Sequence, residues 1–197
     1  MVDIEPFSLW RESHYISEED DHSPFFGKAY NDFTTENTVY NYYLHPRWDF
    51  FGSETLYVKI LYADYDNGTA ILEFIGEWND AIGNDIMHLK RNVIEKLLDE
   101  GISKYVLIVE NVLNFHTSDD EYYAEWAEEN QDSFNGGWIA MINAYDHVVN
   151  ELHDLRLDNY VSFGHDFNGV NWRQLPPNLV IQSVERLMKS GVRRIKY

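Results

Sequence analysis

The chain has 197 residues, 44% hydrophobic and 16% aromatic, which suits one domain with a substantial core. A formal net charge of −19 argues against nucleic-acid phosphates and anionic lipid as partners. The absence of cysteine excludes disulfides, thiolate nucleophiles, iron–sulfur clusters and cysteine-based zinc sites. No run of about 18 apolar residues occurs, so no membrane-spanning helix is expected. The acidic start Met1–Pro6 lacks the apolar stretch of a signal peptide, and a cytoplasmic location is the expectation.

Residues 1–50 read as an irregular, acidic, aromatic-rich arm that packs on a single α/β domain of residues 51–197. The run Glu18-Glu19-Asp20-Asp21 is a solvated patch among Trp10, Tyr15, Phe25, Phe26, Tyr30 and Phe33, with one strand expected over Thr38–Leu44. Leu56–Tyr65 and Ala70–Ile75 are rich in β-branched and aromatic residues. The Asp66-Asn67-Gly68 between them supplies the positive φ angles of a tight turn, which predicts a hairpin. Both strands are apolar on both faces, so the pattern places them near the centre of a sheet covered on each side.

A helix follows, capped at Asn84 or Asp85. Ile86, Leu89, Val93, Leu97 and Leu98 form one apolar stripe, and Gly101 closes the helix. Tyr105–Val109 reads as a buried parallel strand. Ser118-Asp119-Asp120-Glu121 matches a capping box, so a helix is expected from Asp119 to about Asn130. After Gly136-Gly137 come a strand at Trp138–Ile142, a helix at Tyr145–Leu155 and a short strand at Tyr160–Phe163. A final helix starts at Pro176-Pro177 and ends at Gly191, ahead of a basic tail. Alternating strands and helices after a hairpin predict a mixed β-sheet of four or more strands with helices packed on it.

The catalytic motifs of nucleotide hydrolysis, dinucleotide binding and serine hydrolysis are missing, which places a binding role ahead of an enzymatic one. No cofactor is implied. The best local metal-type cluster is His116 with Asp119 and Asp120, and His165 is a further candidate; together they support an alternative reading as a metal-dependent hydrolase or small-molecule binder. Tyr122 and Trp126 lie four residues apart on one helix and can share a face, either in the core or in a partner-binding patch.

From Ile71 to Tyr123 the chain resembles the STAS domain of the anti-sigma-factor antagonists. In that family a strand ending in Gly-Glu is followed by a helix of about four turns, an apolar strand, and a loop that carries a phosphorylatable Ser at a helix N-terminus. Gly76-Glu77, Ile86–Leu98, Tyr105–Val109 and Leu113-Asn114-Phe115 stand in the corresponding places, and Ser118 falls where the family has its phosphoacceptor. The family has Asp directly before that Ser and Gly two residues after it, where this chain has Thr117 and Asp120. The resemblance implies a regulatory, non-enzymatic domain that binds a partner protein through the loop Asn111–Ser118 and the following helix. The expected contacts are Phe115, Ser118, Tyr122 and Trp126, with Asp119 and Asp120 shaping the charge. A basic or kinase-like protein is the expected partner; separately, the aromatics of the arm are equally suited to sealing a homodimer, so a homo-oligomer is a further expectation.

Overall fold

The computed structural model describes residues 4–31, 33, 37–117, 120–133 and 136–194, with the side chains of 191–194 excepted. Its centre is a four-stranded mixed sheet in the order β3-β4-β5-β6, made of Leu56–Asp64, Thr69–Asn79, Lys104–His116 and Trp138–Ile142. β3 and β4 pair antiparallel, whereas β4 with β5 and β5 with β6 run parallel. The predicted hairpin is present. Gly68 takes a positive φ in its turn, and the Asp64 carboxylate accepts the Asn67 backbone N–H at 3.0 Å.

Several boundaries differ from the sequence pattern. Thr38–Leu44 is a tight hairpin rather than one strand: β1 (Thr38–Val39) pairs with β2 (Tyr42–Tyr43), and Tyr40 and Asn41 both take positive φ between them. β4 does not stop at Gly76-Glu77 but continues to Asn79, and β5 runs past Val109 to His116. Residues 111–116, expected as a loop, are therefore strand. Gly76 has φ +123°, and a Cβ there would lie 2.0 Å from the Thr55 carbonyl oxygen, so only glycine fits where β3 begins beside β4. β3 is an edge strand rather than a central one. Tyr160–Phe163 forms no strand, and Ser162 makes a single bridge to Ala140.

The helices follow the expected stripes. α1 (Asp80–Gly83) is a single turn. α2 (Asp85–Leu89) passes through a π-helical stretch, Lys90–Ile94, into α3 (Glu95–Asp99). The wider turn aims Lys90 at the next helix, α4 (Glu121–Asp132), where its buried ammonium meets Glu125 at 3.0 Å and Glu129 at 2.9 Å. These helices and α5 (Asp146–Asp154) cover one sheet face, burying Leu89, Val93, Trp126 and Leu152 against Leu72, Phe74 and Leu107. α6 (Pro177–Arg194) covers the other face through Val180 and Val184 and continues past Gly191, where the sequence placed its end. No helix of the described residues is long and apolar enough to cross a membrane.

The arm wraps the open edge of β3. Phe7 and Trp10 pack on the α6 face, whereas Phe25 packs on the opposite face. Between them Tyr15 meets Tyr62 edge-on, and the Tyr15 and Tyr65 hydroxyls both donate to Asp20. Covering an edge in this way removes a template for unwanted strand pairing.

Alternation along the strands places Lys59 and Glu73 opposite each other in register on the α6 face. They form a buried polar row between the α6 core and a smaller cluster around Leu44, Trp48 and Ile75. Lys59 pairs with Asp49 at 3.1 Å and Glu18 at 3.5 Å, while Lys28 and the Tyr30 hydroxyl also bind Asp49.

Candidate functional site

The carboxyl ends of β4 and β5 open into a cleft of about 490 Å³. Asn79, Ala81 and Ile82 form its β4 side, His116 and Thr117 its β5 side, and Glu151, Asp154 and Leu155 at the end of α5 close it. In open α/β sheets, the crevice beyond the carboxyl ends of the strands is the usual place for a ligand.

Beneath the cleft two carboxylates are buried. Asp80 Oδ1 accepts from the Trp78 indole N–H at 3.0 Å and the Ile86 backbone N–H at 2.7 Å, and Oδ2 accepts from the Tyr123 hydroxyl at 2.6 Å. Burial pushes the Asp80 carboxyl up to about 6, against the pull of these donors. Asp85 is also raised by burial, and its Oδ2 accepts the Asn79 backbone N–H at 2.7 Å. These bonds fix the turn between β4 and α2 and set the cleft wall.

The surroundings of the cleft are partly apolar. Ile82 is 85% exposed, and Leu113 and Tyr145 are also exposed large apolar residues. His147 Nε2 lies 2.7 Å from the Leu113 carbonyl oxygen, and its ring stacks on Tyr145. His116 Nδ1 lies 3.6 Å from Glu151 Oε2, both side chains being well exposed, so this pair contributes little to stability.

The residues expected from sequence separate into three groups. Phe115 and Trp126 are core residues, not partner contacts. Phe115 packs between Trp78 and Tyr123, and Trp126 meets Tyr105 edge-on at 5.0 Å. Both project from the inward face of their elements, so their large rings fill the space between sheet and helices. Tyr122 sits at the boundary, half-buried beneath the Arg91 guanidinium, and Asp120 accepts from the Tyr160 hydroxyl at 2.9 Å. Ser118 and Asp119 lie outside the described residues. His116 and His165 are both exposed, and among the described residues no three His, Asp or Glu side chains are grouped to hold a metal ion.

Sequence reasoning missed Ile82, Asp80, Asp85, Glu151 and Asp154. Asn79-Asp80 is a short polar break in an apolar run and was the available signal; nothing local ties α5 to the end of β5.

The architecture is a mixed α/β domain with several helices on one sheet face, α6 on the other, and the N-terminal arm packed along the β3 edge against both. No protein-family model matches the chain, and no curated protein does. Among solved structures, the NMR structure of the protein TM1081 is similar to it, at 17% identity over 66% of this chain and 90% of that one, with a TM-score of 0.41.

Proposed function

We propose that this chain is a non-enzymatic, STAS-like regulatory domain that binds a partner protein across the cleft and rim at the carboxyl ends of β4 and β5. The observation that carries the reading is the open cleft lined by exposed Ile82, with Leu113 of β5 and Tyr145 at the start of α5 as further exposed apolar residues on the elements that form it. Exposed large apolar residues at and near a cleft are the kind of anchor that a protein interface uses. Glu151 and Asp154 in the cleft suit a basic partner, including a kinase that acts on the chain. In this reading Ser118, in the segment joining β5 to α4, is the phosphoacceptor. Its modification adds about −1.5 to −2 charges and releases or recruits the partner. The setting is cytoplasmic.

The test compares proteins captured from native lysate by wild type, Ile82→Asp, Leu113→Asp, Ser118→Asp and, as a control on the arm, Leu9→Ser. The reading expects a partner that wild type and Leu9→Ser retain and both rim variants lose. The Ser118→Asp sample should show altered retention of that same partner. Equal capture by every variant, or no capture by wild type, overturns it.

A further inference from the structure

A second groove lies elsewhere on the molecule and shares no residue with the cleft. It runs between the arm at Phe26 and Lys28, the segment Phe50–Gly52, and the helical face bearing Asn92 and Lys96, and it encloses about 430 Å³. The Asn92 side-chain amide donates to the Phe51 carbonyl at 2.7 Å and ties the helix to the floor. Phe26 is 58% exposed and Phe50 52% exposed, so two aromatic rings that line the groove face solvent.

The charge of this groove is opposite to that of the chain. The net charge is −19, and other clefts carry acids: Glu151 and Asp154 at the strand ends, Glu12, Glu19 and Asp20 beside Tyr65, and Glu54 and Glu77 near the β1–β2 hairpin. No Asp or Glu lines the groove at Phe26 and Phe50, whereas Lys28 and Lys96 do. Lys28 is held against Asp49 at 2.8 Å but stays partly exposed. Lys96 is exposed and makes no hydrogen bond or ion pair within the described residues.

We propose that this groove docks an acidic peptide segment of another protein, one that inserts an aromatic or aliphatic side chain between Phe26 and Phe50 and sets flanking carboxylates against Lys96 and Lys28. The rings supply apolar area, and the lysines favour an acidic sequence over a basic one. Neutralisation of Lys28 by Asp49 leaves Lys96 as the dominant charge for the incoming carboxylate.

The test is chemical-shift mapping on the ¹⁵N-labelled full chain, titrated with three synthetic peptides: Glu-Glu-Leu-Phe-Glu-Glu, its Lys counterpart Lys-Lys-Leu-Phe-Lys-Lys, and Glu-Glu-Ala-Ala-Glu-Glu. The acidic Leu-Phe peptide should shift Phe26, Phe50, Asn92 and Lys96 and weaken as salt is raised. Its affinity should fall at least tenfold in Lys96→Glu and in Phe50→Ser, both surface changes whose folding is checked by the unchanged amide spectrum elsewhere. The other two peptides should not shift these residues. Equal binding of the basic peptide, shifts elsewhere only, an unaffected Lys96→Glu variant, or no shifts at millimolar peptide each overturn the proposal. Groove shifts that grow with protein concentration in the absence of peptide overturn it in favour of a second copy as the occupant. None of these outcomes bears on the cleft at the strand ends.

Discussion

The buried carboxylate of Glu73 accepts the backbone N–H of Phe7 at 2.8 Å, which ties the arm to the second strand of the sheet across 66 positions of sequence. Around this bond Phe7, Trp10 and Trp172 pack edge to face, and the Trp10 indole donates to the Leu175 carbonyl at 3.1 Å. Arg173 lies over Trp172 and reaches Glu110 and, at 3.7 Å, Glu73. One polar contact thus sits inside the aromatic seal between arm, sheet and the segment before α6.

This environment makes arm docking depend on pH. Burial, with Glu110 adding to it, pushes the Glu73 carboxyl up to about 7 from its ordinary value of 4.5, against the Phe7 N–H and Arg173. Lys59, opposite in register, is itself saturated by Asp49 and Glu18. A folded-state value above the unfolded one means that the stabilisation is complete below about 4.5 and is lost as pH rises through about 7. Urea unfolding of wild type and Glu73→Gln at pH 4.5 and pH 8 should show the wild type losing on the order of 3 kcal/mol relative to the variant. A difference between the two that stays flat with pH would contradict this.

Lys59 anchors the buried row. Replacing it with Met leaves Asp49 fully buried with Lys28 and Tyr30 as its remaining donors, and leaves Glu18 with Arg11. Lys59→Met should cost about 3 kcal/mol in urea unfolding, and adding Asp49→Asn should recover part of that loss. Full additivity of the two changes would show that the ion pair is not coupled.

Glycine at position 76 is a steric requirement. In Gly76→Ala the new methyl meets the Thr55 carbonyl in a backbone conformation that alanine avoids. The expected loss is about 3 kcal/mol or more, read as a lower Tm. Gly27→Ala, with a positive φ but nothing within 4 Å, should cost only about 1 kcal/mol.

Phe115 and Trp126 should behave as core. Truncation of either to Ala should cost about 3–5 kcal/mol, whereas Tyr122→Ala should cost about 1 kcal/mol. Phe115→Leu, which stays apolar and removes far less volume than Ala, should leave partner capture intact if the chain is folded. Loss of capture in a fully folded Phe115→Leu protein would return that residue to the interface.

The local features of this chain are written in its sequence. Asn67-Gly68 determines the hairpin, the spacing of Ile86, Leu89, Val93 and Leu97 determines a helix face, and the apolar run Trp138–Ile142 determines a strand, because each depends on contacts within one or two turns or pleats. The resemblance to the STAS domain led to the segment beside the cleft but named Phe115 and Trp126 as contacts. Sequence spacing cannot tell an inward stripe from an outward one on elements whose partners are distant. Only the tertiary structure decided that β4 and β5 run on to Asn79 and His116, since their pairing partners there lie about 37 residues apart and stabilise each other. It also decided that β3 is an edge and that the arm closes it. The charged row at Lys59 and Glu73, unreadable as a unit from two isolated positions, exists because strand register sets the two buried side chains side by side, each held by partners distant in sequence: Asp49 and Glu18 for Lys59, the Phe7 N–H and Arg173 for Glu73.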